Sequence, residues 1–150
     1  MVYLDTSKLS ARLGSSMYAR LTDRVNGTTA DNTVGEQIID EAEAEGHSYL
    51  AMRYATPIDL SDHPELSKVF EARMLDLAEY VAWKGSPFVS APPPRVAALY
   101  ATALKWFAAV AAGDLTLPAA EPPAAQTAED DGPRYSSRER TFTSEELDGL

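Results

Sequence analysis

Apolar side chains recur at intervals of three and four over residues 63–84, which is the spacing that places them on one face of an α-helix. Residues 33–54 and 93–112 carry stripes of the same kind. No stretch before the tail shows the sustained two-residue alternation of a half-buried strand. The pattern therefore predicts an all-α fold with one core. The clearest stripe consists of Leu66, Val69, Phe70, Arg73, Met74, Leu77, Ala78 and Val81.

Two short helices are predicted before the three long ones. Residues 5–7 supply N-cap candidates for the first short helix, and Gly14 ends it. The second begins at Ser15, and a loop over residues 23–32 follows it, with its turn at Asn26-Gly27. The sequence thus predicts a small helical bundle of two short and three long helices.

The helical pattern stops near Pro118, and the chain is expected to divide there. Residues 1–117 form the predicted helical domain. Residues 118–133, a Pro/Ala-rich acidic linker, have almost no apolar side chain to bury. Residues 134–150 regain a pattern and are predicted to form an extended C-terminal arm that binds a partner. Its expected contact residues are Arg134, Tyr135, Arg138, Arg140, Phe142, Leu147 and Leu150.

The formal charge of −10 limits the kinds of partner. Acidic residues outnumber basic ones by 15 to 10 up to Pro118 and by 8 to 3 after it. This balance argues against binding the phosphate backbone of nucleic acid as the main function, although DNA can pass such a surface without specific binding. The absence of cysteine excludes disulfides and thiolate zinc sites. Without a run of about 18 apolar residues, no membrane span is expected.

Candidates for chemistry are few, and each has a structural explanation that we favour. Glu43 and His47 are one helical turn apart, as two metal ligands would be, but such a pair on an acidic helix face is typical of solvated surface. The loop from Asp23 to Asp31 lacks the closing glutamate of a calcium loop. The carboxylates of residues 40–45 share one open face, without the burial that shifts the pKa of a catalytic acid. We expect no enzyme activity, no metal and no cofactor.

Residues near the end of the first long helix are assigned a structural role. Arg53 extends the inner stripe beside Tyr49 and Tyr54. We expect a half-buried ion pair of Arg53 with Asp59 or Asp76. The aromatic residues that lie off the main stripes are Tyr80, Trp83 and Trp106. They either contact a neighbouring subunit or cap the core, and both interpretations stay open.

The most recognisable string in the chain is Tyr49-Leu50-x-x-Arg53-Tyr54-x-x-Pro57. Together with Leu21-Thr22-Asp23-Arg24, an Asn-Gly loop and Ile39-Asp40-Glu41-Ala42, it resembles a family of small proteins from Mu-like phages and prophages. The resemblance covers nearly the whole chain and keeps the order of its parts. The sequence departs from that family at Gly46, where relatives carry an apolar residue, and at His47, where they commonly carry Asp or Asn.

The resemblance implies a structural virion protein, a head–tail connector (adaptor) subunit. Copies would form a ring, expected to be a dodecamer, beneath the portal protein, and DNA would pass through it. The arm would dock on neighbouring subunits, on the portal, or on the stopper or tail-completion protein. Glu36, Asp40 and Glu43, on the acidic face of the first long helix, would line the channel or, equally, lie on the outer surface of the ring. The expected location is the virion neck, and the cytoplasm of the bacterial host during assembly.

Two other functions stay open. The chain is alternatively another neck or tail-completion protein of the same particle, which would not sit directly on the portal. It is alternatively an acidic soluble binding module that mimics nucleic acid, which predicts a stable monomer or dimer with a DNA-binding protein as its partner.

Overall fold

The computed structural model describes residues 3–89 and 91–117, which form five α-helices and no strand. This confirms the prediction of an all-α bundle with two short and three long helices. The linker and the arm lie outside the described residues. The helices are α1 (Thr6–Leu13), α2 (Ser15–Thr22), α3 (Asn32–Leu50), α4 (Pro64–Gly85) and α5 (Pro94–Ala112).

The side chain of Asp5 caps the start of α1, and the backbone of Gly14 separates α1 from α2. The Asp5 carboxylate accepts the backbone N–H of Lys8 at 2.9 Å and so caps α1. Gly14, with φ 81°, follows the last residue of α1 and donates its N–H to the Ser10 carbonyl at 2.8 Å. This backbone conformation favours glycine, and it lets α2 begin at the next residue.

The loop between α2 and α3 folds around one carboxylate. The two oxygens of Asp23 accept the backbone N–H groups of Val25, Asn26, Thr28 and Thr29 at 2.9–3.1 Å. These four bonds hold the pKa of Asp23 far below its usual range. The carboxylate therefore stabilises the backbone of its own loop. The composition of the loop alone did not indicate these hydrogen bonds.

Helix α3 ends at Leu50, four residues before the predicted end at Tyr54. The hydrogen bonding there changes to the pattern of a 3₁₀-helix. The N–H groups of Met52 and Arg53 donate to carbonyls three residues back, those of Tyr49 and Leu50. The predicted extent was wrong because apolar spacing continues through this turn although the α-helical bonding does not.

The three long helices pack around a core in which α4 runs antiparallel to α3 and α5. Phe70 of α4 meets Trp106 and Phe107 of α5, whereas Tyr80, farther along α4, meets Tyr100 nearer the start of α5. Loops therefore gather at two ends of the bundle. One end holds residues 23–31, 86–89 and 91–93, and the other holds residues 51–63 and 113–117. The fully buried large side chains of the three long helices include Ile39, Leu50, Phe70, Met74, Leu77, Phe107 and Val110.

Gly46 allows α4 and α5 to approach α3 closely. A Cβ atom at this position would lie 2.5 Å from the Met74 methyl group and 3.3 Å from the Phe107 ring. Most of the predicted α4 stripe faces the same core, but Val69 is 41% exposed. Val69 lies about 100° around the helix from Phe70, so it falls at the edge of the buried face.

Candidate functional site

Contacts of Tyr54 and Gly113 fix the point where the chain leaves the bundle. The backbone N–H of Leu117 donates to the Tyr54 hydroxyl at 3.1 Å, and both residues are buried. The Arg53 guanidinium lies 5.7 Å from the centre of the Tyr54 ring. It also covers Gly113, where φ is 90° and a Cβ would overlap Arg53 Nη1. The chain beyond Leu117 therefore starts from a defined place at the end that holds residues 51–63.

The predicted ion pair of Arg53 with Asp59 or Asp76 is wrong. No ion pair joins Arg53 to either carboxylate; Asp59 instead accepts the Ser61 N–H at 2.9 Å. Asp76 faces α1, so it lies out of reach of the turn that carries Arg53. Packing on Tyr54 and on the bare backbone of Gly113 takes the place of the expected salt bridge.

Asp76 belongs to a charged cluster that fastens α1 to α4. Arg12 donates to Asp76 Oδ1 at 2.7 Å and to Glu79 Oε2 at 3.0 Å. Arg73 lies 3.4 Å from the other oxygen of Asp76. The two carboxylate side chains are only 6% and 10% exposed, and Arg12 is 29% exposed. Burial raises the pKa of Asp76, and the neighbouring arginines partly offset this.

Glu43 does not lie on the exposed acidic face, so the prediction that it lines a channel is wrong. Glu43 is 3% exposed. Its Oε1 atom accepts the backbone N–H groups of Tyr3 at 2.8 Å and of Leu4 at 3.0 Å. The side chain therefore holds the N-terminal segment against α3. The spacing of α3 could have indicated the burial of Glu43, which lies four residues after Ile39 and three before Gly46. It does not indicate the partners, because they are backbone groups of a segment outside the helices.

His47 lies beside this contact. Its ring meets the Tyr3 ring edge to face at 5.5 Å, and Tyr3 in turn exchanges hydrogen bonds with the backbone of Ile58. Burial lowers the pKa of His47, which favours the neutral ring at this position. Over residues 3–89 and 91–117, no three side chains of the metal-ligating types lie close enough together to hold a metal ion.

The remaining acidic residues of α3 stay near the surface. Glu36, Asp40 and Glu41 are exposed. Glu45 is half-buried and accepts the Tyr100 hydroxyl at 2.7 Å. Burial, and then the bond to this carboxylate, raise the pKa of Tyr100. The exposed acidic face of the subunit therefore consists of Glu36, Asp40 and Glu41, without Glu43.

The three aromatic residues off the stripes are half-buried against the core. Tyr80 stacks on Tyr100 with ring centres 4.0 Å apart. Trp106 meets Phe70 edge to face at 5.3 Å. The buried indole N–H of Trp83 has no hydrogen-bond partner in the described part of the chain. All three side chains therefore pack within the bundle.

Helix α5 carries more apolar surface than the core uses. Of the described helices, it alone has the length and the apolar composition that could cross a membrane, although the core helix of a globular domain meets the same criterion. This finding does not contradict the expectation of no membrane span, because Arg95 and Lys105 interrupt the apolar residues of α5. One side of α5 packs in the bundle through Val96, Ala103, Phe107 and Val110. Its other side exposes Ala97, Ala98, Ala101 and Ala108, together with Thr102 and Lys105.

Comparison with known protein families gives a match over most of the chain. The family described as Bacteriophage Mu, Gp36 matches residues 3–134, which is most of the chain and includes the whole described bundle. No curated protein matches the chain. The predicted arm contacts, from Arg134 to Leu150, lie outside the described residues.

Proposed function

Because the chain belongs to the family described as Bacteriophage Mu, Gp36, we propose that it is a head–tail connector subunit of a phage particle. Copies form a ring beneath the portal protein, in the virion neck, and the genome passes through the ring. The role is structural and needs no catalysis or cofactor. The partners are other copies of the chain, the portal protein, and a stopper or tail-completion protein.

The observation that carries the proposal is the uncovered, alanine-rich side of α5. The bundle covers only one side of this helix, and the other side exposes four alanines together with Thr102 and Lys105. A ring supplies the missing cover, because each subunit presents one surface to a different surface of its neighbour, and the contact closes on itself. The exposed alanines of α5 are small enough to let another helix approach closely.

The exposed acidic residues of α3 suit the lining of a DNA channel. Glu36, Asp40 and Glu41 would repel the phosphate backbone rather than bind it, so DNA would slide past. The net charge of −10 adds to that repulsion. Glu43 has no part in the lining, since it is buried against the N-terminal segment.

The arm supplies the second half of the proposed role. Residues 134–150 combine three arginines with the apolar side chains of Tyr135, Phe142, Leu147 and Leu150. Arginine makes strong charge-assisted contacts, and apolar anchors fill pockets or grooves. One arm alone would bind weakly, but a ring of arms would bind jointly and hold by avidity.

A phage that lacks this chain is the test of the function. We expect DNA-filled heads and complete tails that accumulate separately, because only the joint between them is missing. Adding the purified wild-type chain to a mixture of such heads and tails should restore joined particles, counted by electron microscopy. A chain without residues 134–150 is the matched variant and should restore far fewer.

Normal joined particles without the chain would contradict the proposal, and so would a loss of DNA packaging or of tails. A stopper or tail-completion protein would also leave heads and tails unjoined. Direct contact with the portal distinguishes the connector from these proteins.

A further inference from the structure

A groove of about 740 Å³ opens at the end of the bundle where the chain leaves it. The N-terminal segment, the loop after α3 and the first turns of α4 form its walls. Apolar surface comes from Tyr3, Pro57 and Pro64, and the cations Lys8 and Lys68 lie among the lining residues. Lys8 is already paired with Glu71 at 2.8 Å. The Lys68 side chain is 74% exposed and its contact with Glu65 is loose, at 3.8 Å, so Lys68 is the cation that remains accessible to another carboxylate. Such a groove suits an extended segment with apolar anchors and acidic neighbours.

The chain's own C-terminal part starts beside this groove. Leu117 is fixed to the Tyr54 hydroxyl, and Tyr54 precedes Pro57, a groove residue, by three positions. Three residues of chain span at most about 11 Å. Residues 118–133 span at most about 55 Å when fully extended. Residues beyond 133 therefore reach the groove without difficulty.

The last residues of the chain have the chemistry that the groove would accept. Phe142, Leu147 and Leu150 alternate with acidic residues and no basic one occurs among them. The acidic residues are Glu145, Glu146 and Asp148. The preceding residues 134–141 are richer in arginine and fit the two lysines less well. Asp59 is the only acidic side chain in the groove lining, and its carboxylate faces the Ser61 N–H of its own loop.

We propose that residues 142–150 dock in the groove of the same chain in the free subunit. Phe142, Leu147 and Leu150 cover its apolar wall, and the acidic side chains face the exposed Lys68. A neighbouring subunit's arm could make the same contacts if arms were exchanged between subunits by domain swapping, which needs no new interface. Docking within the free subunit does not depend on the proposed connector role.

Cysteine cross-linking tests this docking cleanly, because the chain has no cysteine of its own. The test variant carries Ser67→Cys in the groove wall and Ser144→Cys between the anchors. The matched control carries Thr28→Cys, exposed in the loop at the opposite end of the bundle, with the same Ser144→Cys. Both full-length proteins are oxidised mildly at low concentration, and the disulfides are followed on non-reducing gels.

We expect the disulfide within one chain to form at least about tenfold faster in the test variant than in the control, because docking raises the local concentration of one thiol near the other. Adding Leu147→Asp to the test variant should reduce its rate to that of the control without affecting the bundle. Equal rates in test and control would overturn the proposal, as would cross-links that form mainly between two chains. Either result would leave the particle-joining test of the connector role unaffected.

Discussion

Replacing Arg12 with methionine is expected to lower the free energy of unfolding by about 2–4 kcal/mol. Methionine keeps much of the side-chain packing but leaves Asp76 and Glu79 nearly buried, with only Arg73 near one of them. An uncompensated buried charge costs far more than a surface pair contributes. Urea denaturation of the two proteins at pH 7 measures the difference.

The pH dependence separates this electrostatic cost from a packing defect. Burial already raises the pKa of Asp76, and removal of Arg12 raises it further. The native variant then takes up a proton that the unfolded chain does not, so its deficit should shrink as the pH falls from 7 towards that raised pKa. Lys68→Met, at an exposed pair, is the control and should cost at most about 1 kcal/mol. A deficit in Arg12→Met that is the same at every pH would contradict the assignment.

Replacing Glu43 with alanine is expected to cost about 2–4 kcal/mol of the free energy of unfolding. The substitution removes the acceptor of two backbone N–H groups, those of Tyr3 and Leu4, and Leu4 is buried. Each buried donor left without a partner costs about 1–3 kcal/mol. Thermal or urea unfolding, followed by circular dichroism, gives the value.

Two further variants serve as controls for the effect of Glu43→Ala. Glu36→Ala, on the exposed side of the same helix, should change the stability by no more than about 0.5 kcal/mol. Glu43→Gln should lose less than Glu43→Ala, since a single oxygen of Glu43 accepts both bonds and glutamine keeps one carbonyl oxygen. Equal, small effects for Glu43→Ala and Glu36→Ala would return Glu43 to the exposed acidic face.

The helices could be predicted from the sequence because local signals determine them. Intervals of three and four mark the faces that carry Phe70, Met74 and Leu77, and Gly14 and the prolines mark boundaries. These signals act within a few residues, so they survive without knowledge of the tertiary structure. The least accurate boundary was the end of α3, where an apolar pattern continues through a tightened turn.

The polar contacts could not be predicted, because their partners are distant in sequence. Glu43 meets backbone groups forty positions earlier in the chain, and Arg12 meets α4. The sequence alone does not show which distant group a buried carboxylate contacts. Arg53 was expected to find a carboxylate and instead covers Gly113, whose role depends on a positive φ that the sequence does not state.

The two ends of the bundle have different parts in the proposed connector. One end carries the Asp23 loop and the exposed side chains of Val25 and Phe88, with Phe88 packed against Gly27. The other end carries the groove and releases the chain at Leu117. If copies form the proposed ring with these ends facing the head and the tail, the ring would present a different surface to each.

The most direct test of the connector role is negative-stain imaging of the purified chain, alone and mixed with the portal protein from the same genome. The connector role predicts rings, or an added layer on the tail-facing end of the portal, and this layer should be weaker with a chain that lacks residues 134–150. A chain that stays monomeric and leaves the portal unchanged would contradict the role. The exposed acidic face of α3 would then indicate a soluble partner instead.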